Sequence, residues 1–167
     1  MRPSAEEAKR HFWLNKRHTS SVRTATDDDM VKVRFALENY THYGKLKKLA
    51  LMIVAHMCTS EDIGFLRKAF LKFDRKKTGK ITFASFRKGL AKYNFSSHYM
   101  DNLFRSVNLD GTGEIKYTEF LAATIEATEI VTEERVAEAF DRLDSDDSGY
   151  ISVEVSVGYG QYKNWHT

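Results

Sequence analysis

The chain has 167 residues, of which 42% are hydrophobic, so it can form one domain of ordinary size or two small lobes. Its single cysteine, Cys58, excludes an intramolecular disulfide framework and fits a reducing compartment. No segment approaches the roughly 20 apolar residues that a membrane span needs, so the sequence predicts a cytoplasmic protein without a membrane span.

The net charge of +3 conceals an uneven distribution. Residues 1–107 carry 22 Lys and Arg against 10 Asp and Glu, whereas residues 108–167 carry 4 against 13. A basic segment can bind nucleic acid or an anionic membrane, but these basic residues lack an aromatic-interleaved or zinc-type binding motif. No nucleic-acid partner is therefore predicted, and the acidic end is expected to complement the basic end or to hold cations.

After the first 13 residues, the chain runs through a polar region into one long helix. Residues 14–28 are polar and without a pattern, which predicts a linker. From about Asp29 to Met57 no proline interrupts the chain, so a single helix is expected within a segment of residues 29–58.

The central part of this helix, KLKKLALMIVAHM, is basic and amphipathic, which is typical of helices that dock in an apolar groove. Permanent packing against neighbouring helices is the alternative interpretation. The residues expected to make the contacts of this helix are Lys45, Leu46, Lys47, Lys48, Leu49, Met52, Ile53 and Met57.

Three similar units follow, each with a helix, a twelve-residue polar loop and a second helix. The loops begin at Asp74, Asn108 and Asp144, which are 34 and 36 residues apart. A repeat of this length indicates a helix–loop–helix array, and the predicted fold class is all-α. The three units and the tail after them span residues 59–94, 95–130, 131–156 and 157–167.

Apolar residues recur at helical spacing on both sides of these loops. Hydroxyl residues Thr59 and Thr132 precede two of the first helices, together with acidic residues that suit a helix start. The first helices carry the stripes Ile63, Leu66, Phe70 and Phe73; Leu103, Phe104 and Val107; and Val136, Ala139, Phe140 and Leu143. The second helices carry Phe83, Phe86 and Leu90, then Tyr117, Phe120 and Leu121, and all of these stripes are expected to form the core.

The second loop, NLDGTGEIKYTE, is the best candidate for a calcium site. Ca²⁺ takes six to eight oxygens, and loops of this kind supply them from places 1, 3, 5, 7, 9 and 12. The candidate ligands are the side chains of Asn108, Asp110 and Thr112, the carbonyl of Glu114 and the carboxylate of Glu119. Lys116 at the ninth place offers no oxygen, so water has to fill that position and a reduced affinity is expected. An intact loop that stays empty is the alternative.

The other two loops depart further from this pattern. The first, DRKKTGKITFAS, has Lys76 at the third place and Ser85 at the twelfth, so it is expected to be structural and free of metal. The third has Val155 at the twelfth place, and Glu154 lies one residue, or about 100° of helix, away from the position needed. Weak calcium binding or none is therefore expected at its remaining ligands, Asp144, Asp146, Ser148, the carbonyl of Tyr150 and Ser152.

The eighth place of each loop holds an isoleucine, through which two such loops can pair as short antiparallel strands. Ile81 and Ile115 are expected to pair with each other. Ile151 has no fourth loop to pair with, which predicts a concentration-dependent homodimer.

Two flanking segments extend these observations into a resemblance to a known family. Residues 2–13, RPSAEEAKRHFW, are similar to the last helix of a eukaryotic protein kinase domain. They are followed by FALENYTHYGKLKKLALMIVAHM and by loops that resemble those of EF-hand proteins of the calmodulin type. This order resembles the calcium-dependent protein kinases, in which a serine/threonine kinase domain precedes an autoinhibitory junction helix and a calmodulin-like domain.

The resemblance implies that residues 1–13 end a kinase domain and that residues 29–58 are the junction helix. That helix would inhibit its own kinase domain, and Ca²⁺ on the EF-hands would relieve the inhibition. Lys45, Lys47 and Lys48 would then meet the acidic third unit.

The chain also departs from the family pattern. It has no glycine-rich loop and no DFG motif, so it is expected to be a non-catalytic fragment of such a kinase. A fourth EF-hand is absent, which a truncated gene model or a genuine variant would explain. The parent protein could attach to a membrane through a segment that this chain does not contain. A scaffold protein whose degenerate EF-hands act without calcium is the alternative function.

Overall fold

The structure, a computed structural model, describes residues 25–144 and 146–151. The predictions for residues 1–24 and for the tail, including Ser152, Glu154 and Val155, lie outside the described residues. In the described part, the longer elements are α1 (Asp27–Tyr40), α2 (Lys45–Met57), α3 (Gly64–Phe73), β1 (Lys80–Thr82), α4 (Phe83–Gly89), α5 (Ser97–Val107), β2 (Glu114–Lys116), α6 (Tyr117–Thr124) and α7 (Glu133–Leu143). Short 3₁₀ turns follow α4 at Ala91–Tyr93 and α6 at Ile125–Ala127. The predicted all-α array is therefore confirmed.

Helix α1 begins with a reciprocal cap. The Thr26 backbone N–H donates to Asp29 Oδ2 at 2.7 Å, and the Asp29 N–H donates to Thr26 Oγ1 at 3.1 Å. These bonds satisfy two backbone donors that a helix start leaves without partners. The helix therefore starts at Asp27, two residues before the predicted start and inside the predicted linker.

The prediction of one continuous helix from Asp29 to Met57 is wrong, because residues 41–44 interrupt it. The Thr41 hydroxyl donates to the Glu38 carbonyl at 2.7 Å, which satisfies a carbonyl at the end of α1 locally. Gly44 then takes extended backbone angles and becomes the cap of α2. The absence of proline permits a long helix but does not enforce one.

The first two units form a pair through a short antiparallel ribbon. Strand β1 pairs with β2 in the register Lys80–Lys116, Ile81–Ile115 and Thr82–Glu114. Both isoleucines have no exposed surface, so they close one end of the core. The predicted pairing of Ile81 with Ile115 is confirmed.

Aromatic rings from both units fill the space behind this ribbon. Phe120 lies 5.4 Å from Phe70 and 5.6 Å from Phe73, measured between ring centroids, and Phe73 stacks on Phe86 at 5.8 Å. Offset and edge-to-face pairs of this kind add to the stabilisation from apolar burial. The residues predicted as core in these two units are buried, apart from Phe83 and Tyr117, which are partly buried.

Helix α7 of the third unit buries a narrower stripe than predicted. Ala139 and Leu143 are buried, but Val136 and Phe140 keep 44% and 38% of their surface exposed. In the described part of the chain, α7 packs extensively against α2 alone. A single neighbouring helix covers only part of an amphipathic face. Ile151 is the last described residue, so the homodimer expected through it stays a prediction. None of the described helices combines the length and the apolar character that crossing a membrane requires.

Gly89 ends α4 in a position without room for a side chain. A Cβ atom added there would lie 2.4 Å from a carbon of the buried Phe73 ring. We expect Gly89→Ala to lower the free energy of unfolding by about 1–3 kcal/mol, because the stacked ring cannot move away freely. Urea denaturation measures this loss.

Gly64→Ala is the matched control for this substitution. A Cβ at Gly64, at the start of α3, meets nothing within 4 Å. Gly64→Ala should leave the free energy of unfolding unchanged or raise it by up to about 1 kcal/mol. Equal losses in the two variants would contradict the close approach of Gly89 to Phe73.

Candidate metal centre

The three loops share one backbone pattern in the described residues. The fourth and sixth places of each loop have positive φ angles, a region that favours glycine. The fourth places are Lys77 (φ 55°), Gly111 (φ 67°) and Asp147 (φ 51°), and the sixth places are Gly79 (φ 79°), Gly113 (φ 82°) and Gly149 (φ 78°). All three sequences therefore make the same turn, and the loops differ in their side chains.

The first loop is closed by its own hydrogen bonds. Asp74 accepts from the backbone N–H of Thr78 at 3.0 Å, from that of Gly79 at 2.7 Å and from the Thr78 hydroxyl at 3.1 Å. Burial acts to raise the pKa of Asp74, but these bonds outweigh it and hold the pKa below its ordinary value. Ser85 at the twelfth place donates its N–H to Thr82 Oγ1 at 3.3 Å and so helps to cap α4.

The third loop repeats this arrangement around Asp144. Its carboxylate accepts from the N–H groups of Ser148 at 3.0 Å and Gly149 at 2.7 Å. The Ser148 hydroxyl lies 3.0 Å from Asp144 Oδ1 and 3.1 Å from the Tyr150 carbonyl. Three of the predicted ligands of this loop, Asp144, Ser148 and the Tyr150 carbonyl, are therefore close together, and Asp146 is exposed.

The second loop is built differently, because Asn108 stands in the first place. Asn108 Oδ1 is buried and has no hydrogen-bond partner among the described residues. Glu119 instead closes the loop from its far end. Its Oε1 accepts from the N–H groups of Leu109 at 2.8 Å and Asp110 at 3.3 Å, and its Oε2 accepts from that of Lys116 at 2.7 Å.

Glu119 is fully buried. Burial raises the pKa of its carboxyl group above the ordinary value, although the three N–H groups oppose the shift. A buried carboxylate that is held by backbone N–H groups is suited to capture a cation.

The other candidate ligands of the second loop converge on one hydroxyl group. Thr112 Oγ1 lies 2.8 Å from Asp110 Oδ1 and 3.2 Å from the Glu114 carbonyl oxygen. The Glu114 side chain points elsewhere and pairs with Lys80 at 2.9 Å. The sequence assigned only the carbonyl of Glu114 to the site, and this side-chain direction agrees with that assignment.

These donors fit calcium in chemical type. They are carboxylate, amide, hydroxyl and carbonyl oxygens, which are the ligands that Ca²⁺ takes in such loops. In the described residues no cluster of three or more His, Cys, Asp and Glu side chains is arranged around a metal position. The oxygen of Asn108, which has no hydrogen-bond partner among the described residues, gives the loop one ligand oxygen that no described group uses.

The basic helix α2 lies against the second unit. Lys47 Nζ lies 2.9 Å from Glu126 Oε1, and Tyr43 donates its hydroxyl to the other oxygen of Glu126. Lys48 donates to the Ser106 carbonyl at 3.0 Å. The prediction that Lys47 and Lys48 meet the acidic third unit is therefore wrong.

The buried face of α2 is also rotated from the predicted one. Leu51, Met52, Val54 and Ala55 are buried, whereas Leu46 is 48% exposed. The other three predicted apolar contacts, Leu49, Ile53 and Met57, are partly buried, and Lys45 is exposed. The helical spacing of Leu51, Val54 and Ala55 indicates this buried face. The predicted face was instead placed next to the lysines, near the start of the helix.

Helix α2 packs on two elements, α6 and α7. Helix α6 carries Glu119 in its first turn and is buried from Glu119 to Thr124. At the end of α2, Arg135 of α7 reaches Cys58 Sγ at 3.2 Å and Asp62 Oδ2 at 3.0 Å. Thr59 and Asp62 exchange hydrogen bonds between backbone N–H and side-chain oxygen, at 2.9 Å and 3.3 Å, although α3 begins only at Gly64.

Two helix–loop–helix units joined through their loops by an antiparallel ribbon have the architecture of an EF-hand pair. Residues 65–125 accordingly match the EF-hand domain pair.

The chain is similar to calcium-dependent protein kinases over 92% of its length. It is 34% identical over 155 residues to calcium-dependent protein kinase 7 of Oryza sativa subsp. japonica and 33% identical to calcium-dependent protein kinase 33 of Arabidopsis thaliana. The chain spans 28% and 29% of these relatives. One solved structure of a C-terminal domain aligns with 79% of this chain and 80% of its own at 21% identity and a TM-score of 0.39.

Proposed function

We propose that the chain is the calcium-responsive regulatory module of a serine/threonine protein kinase. Its EF-hand pair and its kinase relatives support a calcium-regulatory role. In this proposal, Ca²⁺ binds the second loop, α2 responds, and the inhibition of the module's own kinase domain is relieved.

One structural connection carries this proposal. Glu119 lies in the first turn of α6, and the rest of α6 packs against the basic helix α2. Turning both oxygens of Glu119 towards Ca²⁺ would alter its hydrogen bonds with the N–H groups of Leu109, Asp110 and Lys116. A movement of Glu119 therefore shifts the helix on which α2 rests.

The contacts of α2 also support a response of this helix to calcium. The ion pair of Lys47 with Glu126 and the bond of Lys48 to Ser106 hold α2 to the second unit. Both partners lie on segments next to the second loop, so a rearranged loop alters the contacts that retain α2. A ligand shifts a conformational equilibrium only through such differences in contact.

A second function is favoured by a different observation. Lys116 forms an ion pair with the candidate ligand Asp110 at 2.6 Å, so the second loop carries a cation of its own. The first loop is closed by bonds within the protein. A scaffold protein whose EF-hands bind partners without calcium would have these features.

Hydrogen exchange at the amides of residues 45–57 distinguishes the two functions. We expect saturating Ca²⁺ to slow this exchange about tenfold, because a rearranged second unit holds α2 more tightly. The same measurement on Glu119→Gln, which lacks the bidentate carboxylate, is the control and should show no change. Calcium binding that leaves the exchange of residues 45–57 unaltered would favour the scaffold instead.

A further inference from the structure

The side chain of Lys116 folds back over the second loop. Lys116 is the last residue of β2, at the ninth place of the loop, and its Nζ lies 2.6 Å from Oδ2 of Asp110 at the third place. The Asp110 side chain is only 7% exposed, whereas that of Lys116 is 42% exposed. The ammonium group therefore reaches from solvent to a nearly buried carboxylate.

Asp110 belongs to the group of oxygens that would hold the metal. Its other oxygen, Oδ1, lies 2.8 Å from Thr112 Oγ1. The buried carboxylate of Glu119 is close enough to act electrostatically on Lys116. The ammonium thus balances negative charge that a bound cation would otherwise balance.

We propose that Lys116 is a tethered cation that competes with Ca²⁺ for Asp110 and raises the calcium concentration at which the second loop fills. This inference rests on the proposed function, since it assigns the second loop as the calcium site. An ammonium group held 2.6 Å from Asp110 Oδ2 would lie close to a Ca²⁺ ion on the same carboxylate, and the two positive charges would repel each other. Filling the site therefore includes breaking this ion pair and moving the ammonium into water.

A simpler account makes Lys116 an ordinary missing ligand. In that account, the ninth place lacks an oxygen, and the charge of the lysine is immaterial. Methionine separates the two accounts, because it keeps a long unbranched side chain and supplies neither an oxygen nor a charge. Its backbone N–H is still present to bind Glu119.

We therefore compare calcium affinities by calorimetry for wild type, Lys116→Met and Lys80→Met. Lys116→Met should bind Ca²⁺ about tenfold more tightly than wild type, because no ion pair has to be broken. Lys80→Met is the matched control, since Lys80 faces Lys116 across the ribbon and pairs with the side chain of Glu114. It removes the same charge and should change the affinity less than about threefold at 0.15 M salt, where exposed charges are screened.

The outcomes separate this inference from the proposed function. Equal affinities of wild type and Lys116→Met would overturn the inference and leave the proposed function standing. Equal increases in calcium affinity for Lys116→Met and Lys80→Met would also overturn the inference, because the loss of one positive charge anywhere near the loop would explain both. Binding by Lys116→Met alone would support the inference and overturn the sensor function of the wild-type chain, and no binding by either would overturn both. Lys116→Gln serves as a second variant, and circular dichroism checks that each variant is folded.

Discussion

Calorimetric titration of Glu119→Gln is expected to give a calcium affinity about 100-fold weaker than that of the wild-type chain, or about 3 kcal/mol of binding free energy. Glutamine has nearly the shape of glutamate, but it loses the charge and one of the two acceptor oxygens. The NH₂ group of the amide would also face one of the N–H donors that Glu119 accepts. The loop would thus lose the one ligand able to bind with both oxygens.

Glu114→Gln is the matched control within the same loop. It removes the same charge, but Glu114 contributes only its carbonyl to the group of oxygens, and its side chain pairs with Lys80 at the surface. Exposed pairs contribute little, so the affinity should stay within about threefold of wild type. Similar losses in both variants would show that net charge decides the affinity and not the position of Glu119.

Phe120→Ala is expected to lower the free energy of unfolding by about 3–5 kcal/mol, the largest effect on stability that we predict. The ring has no exposed surface and lies against Phe70 and Phe73. Its removal leaves a cavity between the two paired units. Urea denaturation in the presence of a chelator measures this loss without a contribution from calcium.

Phe35→Ala controls for the loss of an aromatic ring as such. Phe35 is 52% exposed, and its ring is covered by the guanidinium group of Arg34 at 3.9 Å. The free energy of unfolding of this variant should fall by less than about 1 kcal/mol. A Phe120→Ala loss of the same size would mean that the described core does not hold the two units together.

Much of the paired unit could be predicted from the sequence, because local patterns determine it. The glycines at the sixth place of each loop mark the turn, and the apolar stripes mark the buried faces. The isoleucines at the eighth place specify the ribbon, since only one register brings Ile81 opposite Ile115. The glycines and the apolar stripes act within about a dozen residues, and the pairing of the two loops follows because the isoleucine recurs at the same place of each repeat.

The remaining features depend on contacts between distant residues. The interruption at residues 41–44 lets α1 and α2 pack as separate helices, and helical periodicity does not show where a chain turns. The partners of Lys47 and Lys48 depend on which face α2 presents to α6, which no local pattern determines. The ion pair of Lys116 with Asp110 was not predicted, because the loop pattern shows only that a lysine at the ninth place offers no oxygen ligand and does not show where its ammonium group lies.

The ribbon between Ile81 and Ile115 determines how steep a calcium response can be. In a pair where both loops take an ion, such a connection lets the first binding event favour the second, and the Hill coefficient can exceed one. Here Asp74 accepts hydrogen bonds within the first loop, which we expect to stay free of metal, so the ribbon would join a responsive second loop to a first loop that does not bind the ion. A single responsive loop has a Hill coefficient of one, and its occupancy rises from a tenth to nine-tenths over roughly two decades of free calcium. Under the proposed function, the response to calcium would therefore be graded over this concentration range and not abrupt.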